Sequence, residues 1–249
     1  FAKRGYILTS ANSINWGRLA PQIAYYVSAY CDLIRSGDIK LGEEIYVCVP
    51  TGNFGNILAA YIARRMGLPI RRLICASNSN RVLTDFFENG VYDRNREFHL
   101  TISPSMDILI SSNLERLLWF AAGPNETARY MRQLAETGRY EVDPSVLEEI
   151  GRDFVGMSCS EDETRAEIKS IWKHFGYLCD THTAVGLHCA EQYLEGETRR
   201  TNGRKMLAVS TASAYKFASD VYYALTGEVV EGTAAIGQLS SYTGTSVHA

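Results

Sequence analysis

Several features that would define a functional class are missing from this sequence of 249 residues. No apolar run reaches the roughly 20 residues that a membrane-spanning helix requires. No cluster of Lys and Arg supplies a basic face for nucleic acid, and the formal net charge is −3. The six cysteines form no C-x-x-C pair, and no histidine has the spacing of a metal ligand. The first five residues contain no apolar segment like that of a signal peptide. We therefore expect a cytoplasmic protein that binds neither nucleic acid, membranes nor metal.

The hydrophobic pattern indicates an α/β domain. Continuous apolar runs at 45–49, 70–76 and 206–209 are typical of strands that a parallel sheet buries on both faces. They alternate with segments of helical periodicity, which predicts an open parallel sheet flanked by helices. The predicted helices cover 16–33, 56–66, 82–89, 111–120, 126–136, 144–154, 161–174, 182–193 and 213–225, and a short strand is predicted at 6–9. Because of Pro21, the first helix either begins near Leu19 or has an irregular first turn. We expect residues 1–231 to form one large domain and the Gly/Ser/Thr-rich residues 232–249 to form a loop-like tail.

A glycine-rich turn connects the first buried strand to a helix. At such a turn the backbone N–H groups and the helix dipole converge on one point, which favours an anion. The glycines let the backbone approach that anion closely. No Lys-Ser/Thr follows, so the turn is not a Walker A loop, and the spacing is not G-x-G-x-x-G. The pattern predicts an anion site, with a plain strand-to-helix turn as the alternative, formed by Gly52, Asn53, Phe54, Gly55 and Asn56.

Two further polar segments precede helices. Asn12, Ser13 and Arg18 offer a carboxamide, a hydroxyl and a guanidinium, a set suited to a phosphate ester or a carboxylate. Helix capping by Asn12 or Ser13 is the alternative. A hydroxyl of Ser210 or Thr211 follows the last strand, where ligands of open α/β sheets bind, and helix capping is again the alternative.

Five ordered motifs together resemble the threonine synthases, pyridoxal-phosphate enzymes of the tryptophan-synthase-β (fold type II) superfamily. These motifs occupy 12–18, 50–56, 81–92, 103–109 and 180–185, beginning with Asn-Ser-Ile-Asn-Trp-Gly-Arg and ending with Asp-Thr-His-Thr-Ala-Val. The resemblance extends over nearly the whole chain. It implies the fold-type-II large domain and pyridoxal 5′-phosphate as cofactor.

What the resemblance implies is the conversion of O-phospho-L-homoserine and water into L-threonine and phosphate, with the cofactor as an electron sink. Residues Gly52–Asn56 would hold the cofactor phosphate, and Thr211 would face the pyridine nitrogen. Asn12, Ser13 and Arg18 would hold the phosphate of the small-molecule substrate. A homodimer is a candidate assembly.

The chain also departs from the family pattern. Ser213 and Ala214 stand where family members commonly have His and Pro, so the role of that histidine is open here, whereas Lys216 matches a family lysine. None of the six lysines lies in the family's cofactor-lysine motif, which occurs upstream of the Asn12 segment. We therefore expect the chain to be the C-terminal, larger part of such an enzyme and to be inactive alone. The alternatives are another fold-type-II lyase, such as a dehydratase or a cysteine synthase, and a catalytically silent relative that only binds ligands.

Overall fold

The computed structural model describes residues 2–7, 12–197 and 203–247 of the protein. Its helices and strands follow one another as α1 (Trp16–Arg35), β1 (Ile45–Pro50), α2 (Gly55–Arg65), β2 (Ile70–Ser77), α3 (Val82–Asn89), β3 (Val91–Asp93), α4 (Leu114–Thr137), β4 (Arg139–Glu141), α5 (Pro144–Gly151), β5 (Phe154–Ser158), α6 (Glu161–Phe175), α7 (Thr181–Glu197), β6 (Met206–Ala208), α8 (Ala218–Thr226) and α9 (Ala234–Thr243). Short 3-10 turns lie at Ala2–Arg4, Pro104–Met106 and Ala214–Phe217.

The main sheet has four parallel strands in the order β5-β2-β1-β6. This confirms the open parallel sheet that the alternating pattern predicts. Strand β1 lies in the interior of the sheet and every one of its residues is buried, which explains its unbroken apolar sequence. A separate antiparallel pair joins β3 to β4.

Helices cover both faces of this sheet. Successive side chains of a strand point to opposite faces. Accordingly, Val47 and Val49 of β1 belong to a core that also includes residues of α1 to α5. Tyr46 and Cys48 pack with residues of α7 on the other face. Helices α6, α8 and α9 form a further apolar cluster beyond it. Among the described residues, no helix combines the length and the apolar character that crossing a membrane would need.

The sequence prediction is wrong in the tail and incomplete in the strands. Residues 234–243, predicted as loop, form α9, whose Ala235 and Leu239 are fully buried. Strand β5, at 154–158, is not predicted, and the helix predicted at 144–154 ends three residues earlier than expected, at Gly151. The two helices predicted within 111–136 are joined as α4, but the helix is interrupted at Gly123, which has φ 79° and ψ 175°. Of the strand predicted at 6–9, residues 6 and 7 are not in a strand, and residues 8 and 9 lie outside the described residues.

Helix α1 begins earlier than Pro21 suggests. It starts at Trp16 and contains Pro21, because a proline in the second turn removes only one intrahelical hydrogen bond. The N-cap is Asn15, whose side chain accepts a hydrogen bond of 2.8 Å from the N–H of Gly17. Neither Asn12 nor Ser13 is therefore the capping residue, and both remain beside the helix start.

Candidate active site

The three polar segments predicted from the sequence surround one cavity. It has a volume of about 810 Å³ and lies beyond the carboxyl ends of β1 and β6. Its lining includes every residue predicted to bind a ligand: Asn12, Ser13, Arg18, Gly52, Asn53, Phe54, Gly55, Asn56 and Thr211. The position agrees with the rule that ligands of open α/β sheets bind at this edge.

The turn between β1 and α2 has its carbonyl groups bonded and its amide groups unused. Ser111 Oγ donates to the carbonyl of Gly52 at 2.8 Å. The backbone N–H and Nδ2 of Asn113 donate to the carbonyl of Asn53 at 3.2 and 2.8 Å. The backbone N–H groups of 52–57 have no protein acceptor among the described residues. The first turn of α2 thus presents several donors together with the positive end of its dipole.

Phe54 sets the direction of this turn. It has φ 61° and is the residue before α2, and apart from glycines no other described residue has a positive φ. A left-handed conformation costs a non-glycine residue about 1–2 kcal/mol. The ring compensates for this cost because it is 1% exposed and packs 5.7 Å from the ring of Phe154 and 6.1 Å from that of Phe87. The buried ring therefore holds the backbone in the conformation that presents the amides.

The two glycines of the turn have different roles. A Cβ on Gly52 would lie 2.6 Å from the carbonyl oxygen of Ser105, so this position requires glycine for close packing of two backbones. A Cβ on Gly55 would make only ordinary contacts, the nearest at 3.5 Å to Asn113 Nδ2. The glycine that the structure needs for steric reasons is Gly52.

Asn113 joins the turn to the segment before α1. Its fully buried side chain donates to the carbonyls of both Asn53 and Ser13, the latter at 3.2 Å. Arg116 accompanies it, donating to Asn113 Oδ1 at 2.7 Å and to the carbonyl of Ile14 at 2.6 Å. Sequence reasoning missed both residues, because they precede and open α4 without any motif of their own.

The Asn12 segment and α1 form the opposite wall. Asn12 Oδ1 accepts hydrogen bonds from the N–H of Ile14 and from Ser13 Oγ, at 3.2 and 3.3 Å. The amide N–H₂ of Asn12 has no acceptor among the described residues, so it can donate to a ligand. Arg18 is exposed on the first turns of α1 and lines the cavity. On this wall the cavity therefore meets a carboxamide, a hydroxyl and a guanidinium.

A buried histidine completes the floor. His182 Nε2 accepts a hydrogen bond of 3.1 Å from the N–H of Ser105, so its proton lies on Nδ1, which is 3.1 Å from Asp180 Oδ1. Its ring packs 4.7 Å from that of Phe217. Burial alone would raise the pKa of Asp180, but hydrogen bonds from His182 and Thr183 lower it below 3.8. Asp180 therefore holds the His182 ring in place to accept from the N–H of Ser105, the residue whose carbonyl packs on Gly52.

The segment after β6 supplies the hydroxyl predicted there. Thr211 lines the cavity, and its N–H donates to Thr183 Oγ1 at 3.2 Å. Ser213 lies outside this lining, and its side chain accepts from the N–H of Tyr215 at 3.3 Å, so it caps a short 3-10 turn. Of the six lysines, all of which the structure describes, only Lys216 lines the cavity, with Nζ 5.3 Å from the Phe217 ring centroid.

Comparison with known proteins finds relatives named threonine synthase or threonine synthase-like. "Threonine synthase-like 1" of Macaca fascicularis is 47% identical over 226 residues, which is 89% of this chain and 29% of the relative. "Threonine synthase" of Saccharomyces cerevisiae is 38% identical over 235 residues, which is 88% of this chain and 44% of the relative. The chain thus spans less than half the length of these two curated relatives. No model of a protein family matches it.

A solved structure has the same fold. It is described as a PLP-bound threonine synthase from Brucella melitensis, and it superimposes with a TM-score of 0.80 at 37% identity. The superposition covers 94% of this chain and 48% of the other. Similarity of sequence and similarity of fold therefore each extend over most of the chain.

Proposed function

We propose that this chain, which belongs to the threonine synthase family, forms the phosphate-binding part of a pyridoxal-phosphate site. We also propose that the full-length protein converts O-phospho-L-homoserine and water into L-threonine and phosphate. The single observation that carries the proposal is the turn at 52–57. Its amides have no protein acceptor among the described residues, and its carbonyls are bonded on the other side.

The residues of the cavity fit this cofactor. A phosphate monoester needs several N–H donors at a helix start, and Gly52–Asn56 provide them. Thr211 offers a neutral hydroxyl on the same cavity, suited to a heteroaromatic nitrogen. Beside a neutral partner, the pyridine nitrogen would remain largely unprotonated. When bound, the cofactor supplies an electron sink for carbon–hydrogen cleavage.

The opposite wall is suited to the substrate phosphate. Arg18 provides a charged, planar donor, and Asn12 and Ser13 add neutral donors beside it. Asn113 ties this wall to the cofactor turn through Ser13 and Asn53, so the two phosphate positions are held at a fixed separation. We assign to these residues the binding and orientation of the substrate, which is where positioning lowers a reaction barrier.

A second candidate is a relative that binds the cofactor without making threonine. Two observations favour it: relatives named threonine synthase-like 1 reach 44–47% identity, whereas the yeast enzyme reaches 38%, and Ser213 caps a turn outside the cavity lining. A related lyase acting on serine, threonine or O-acetylserine is the third reading, and the donor set of Asn12, Ser13 and Arg18 argues against it.

The full-length protein, supplied with pyridoxal phosphate, separates these candidates. We expect phosphate release and threonine formation from O-phospho-L-homoserine and no turnover of serine, threonine or O-acetylserine. Stoichiometric cofactor binding without turnover of any of the four compounds would support the non-catalytic candidate. Failure to bind the cofactor at all would reject the proposed site.

Arg18→Ala tests the substrate wall. Because a hydrogen bond to a charged group is worth about 1.5–3 kcal/mol, we expect kcat/KM for O-phospho-L-homoserine to fall roughly 10- to 100-fold. Cofactor affinity should stay unchanged. Arg35→Ala, at the other end of the same helix, is the matched control and should leave both quantities unchanged. Equal effects of the two substitutions on kcat/KM would contradict the assignment of Arg18 to the substrate site.

A further inference from the structure

A second group of polar side chains lies away from the cavity, where α6 packs against α7. Cys159, Glu163 and His188 each turn one donor atom toward a common point, and these atoms lie within 4.8 Å of one another. None of the three residues lines the cavity described above. Cys159 precedes α6, Glu163 lies in its first turn, and His188 comes from the middle of α7.

Two of the three donor atoms make no hydrogen bond to a described residue, whereas Cys159 Sγ lies 3.3 Å from Thr164 Oγ1 and donates to the carbonyl of Ser160 at 3.5 Å, contacts that a bound ion would replace. His188 Nε2 is buried and has no hydrogen-bond partner among the described residues; Glu163 Oε1 is 3.7 Å from it, beyond hydrogen-bond distance. Glu163 caps α6 with its other oxygen, Oε2, which accepts from Ser160 N–H at 2.8 Å and from Ser160 Oγ at 2.7 Å. Oε1 can therefore bind a ligand without opening the start of the helix.

A buried carboxylate stands behind the histidine. The side chain of Glu167 is 6% exposed, and its Oε1 has no partner among the described residues. Its Oε2 lies 3.8 Å from His188 Nδ1, the ring nitrogen that points away from Glu163. A metal-bound histidine commonly donates its second ring N–H to a carboxylate, which fixes the ring and makes the ligand more basic. Glu167 stands where such a positioning residue is needed.

We propose that Cys159, Glu163 and His188 bind a zinc ion and that Glu167 positions His188. Thiolate, imidazole and carboxylate are a donor set that suits Zn²⁺. Tetrahedral coordination at about 2.0–2.3 Å places donors roughly 3.3–3.8 Å apart, so donor atoms that lie within 4.8 Å of one another have to close by at most about 1 Å. The side chain of Glu163 is 46% exposed, so it can make this movement and also marks the route of entry. Three protein ligands leave the fourth position to water, and binding releases the thiol proton of Cys159.

Such an ion would connect the start of α6 to α7. Asp180 immediately precedes helix α7 and His182 lies in its first turn, next to the cavity floor. A bound ion would therefore stabilise the helix from which His182 reaches the cavity. Sequence spacing gives no sign of the site, because Cys159 and Glu163 are close in sequence but His188 comes from the next helix. The site thus departs from the sequence-based expectation that no metal binds.

The test is a metal titration of the full-length protein after removal of metals with a chelator. We expect native mass spectrometry to show one zinc ion bound per chain. The variants below test whether that ion occupies this site. Cobalt(II) should give the intense sulfur-to-metal absorption of a cobalt–thiolate bond. Cys159→Ser should abolish that absorption, and His188→Ala should weaken zinc binding at least 100-fold. Glu167→Gln should weaken it 10- to 100-fold, as loss of a carboxylate behind a ligating histidine does.

Two kinds of variant distinguish loss of a zinc ligand from misfolding of the protein. Glu163→Gln keeps a side chain that can cap α6 but loses the anionic ligand, so it should fold normally and bind zinc at least tenfold more weakly. Cys31→Ser removes an exposed thiol on α1 and Cys189→Ser removes the buried thiol next to His188, and both should retain zinc. The proposal is overturned if the wild type retains no zinc at micromolar concentration. It is also overturned if Cys159→Ser and Glu163→Gln retain zinc as the wild type does.

Discussion

Asn113 is the residue on which both walls of the cavity depend. Its amide donates to two carbonyls, those of Ser13 and Asn53, while Arg116 occupies its oxygen. Each of these groups is at least partly removed from water, and an unpaired buried polar group costs about 1–3 kcal/mol. No pattern in the sequence distinguishes Asn113 from an ordinary residue before a helix, because its role arises from two segments roughly 60 and 100 residues away.

Asn113→Asp tests this role with almost no change of shape. The carboxylate cannot donate to either carbonyl, so we expect a loss of about 2–4 kcal/mol in the free energy of unfolding. We also expect at least a tenfold loss of phosphate affinity. Asn89→Asp is the matched control, since Asn89 only accepts a hydrogen bond, from the N–H of Val91, and an aspartate can do the same. Identical behaviour of the two variants would contradict the role assigned to Asn113.

Asp180 gives the protein an acid-dependent stability. Its pKa is lower in the folded protein than the value of 3.8 in the unfolded chain, because hydrogen bonds from His182 and Thr183 outweigh the effect of burial. A carboxyl whose pKa is lowered by folding stabilises the protein above its unfolded pKa. This contribution disappears as pH falls through the folded pKa.

Asp180→Asn should therefore reduce the free energy of unfolding by about 2 kcal/mol near pH 7, and the difference from wild type should narrow below about pH 4. Denaturant unfolding between pH 2 and 7 would measure this. Asp32→Asn, on the surface of α1, should change stability by less than about 0.5 kcal/mol throughout. A difference that stays constant down to pH 2 would show that the ionised carboxylate is not the stabilising species.

At the scale of elements, the junction of β1 and α2 was predictable and the last helix was not. An apolar strand, a turn with two glycines and an apolar helix together specify the junction. The segment that forms α9 is rich in Gly, Ser and Thr, which have low helix propensity or favour caps and turns. Burial of Ala235 and Leu239 in the cluster with α8 overrides that propensity. Local sequence did not reveal that tertiary contact.

Phe54 offers a comparison that isolates the backbone of the junction. Both Phe54→Ala and Phe54→Gly remove the buried ring and should cost about 3–5 kcal/mol. At φ 61° glycine fits better than alanine, so Phe54→Gly should be more stable than Phe54→Ala by about 1 kcal/mol. In a helix interior the order is reversed, as a Gly/Ala pair at Ala60 in the middle of α2 should show. Denaturant unfolding of wild type, Phe54→Ala, Phe54→Gly and Ala60→Gly measures whether glycine or alanine gives the higher free energy of unfolding at each position.

At the scale of the whole molecule, the sheet order positions the chemistry. Strands β1 and β6 are neighbours although they are far apart in the sequence, so the turn after β1 and the segment with Thr211 after β6 meet at one edge. The run of Asn12 to Arg18 joins them because α1 packs on α2. Strands β1, β2 and β6 could be predicted from their apolar runs, but β5 could not, and the roles of the site residues were predicted from the resemblance to a family. The hydrogen bonds that hold the turn open could not be predicted, because their donors, Ser111 and Asn113, lie in the distant segment just before α4.

The most direct test of the account follows the amides of the turn during a titration with inorganic phosphate and then with pyridoxal phosphate. In the ¹⁵N–¹H spectrum of the protein, we expect the amide signals of 52–57 to shift in a saturable manner at a common dissociation constant. Those of the surface turn 40–43 should not move. Signals of 52–57 that stay unchanged while the ligand binds elsewhere would contradict the claim that this turn is an anion site.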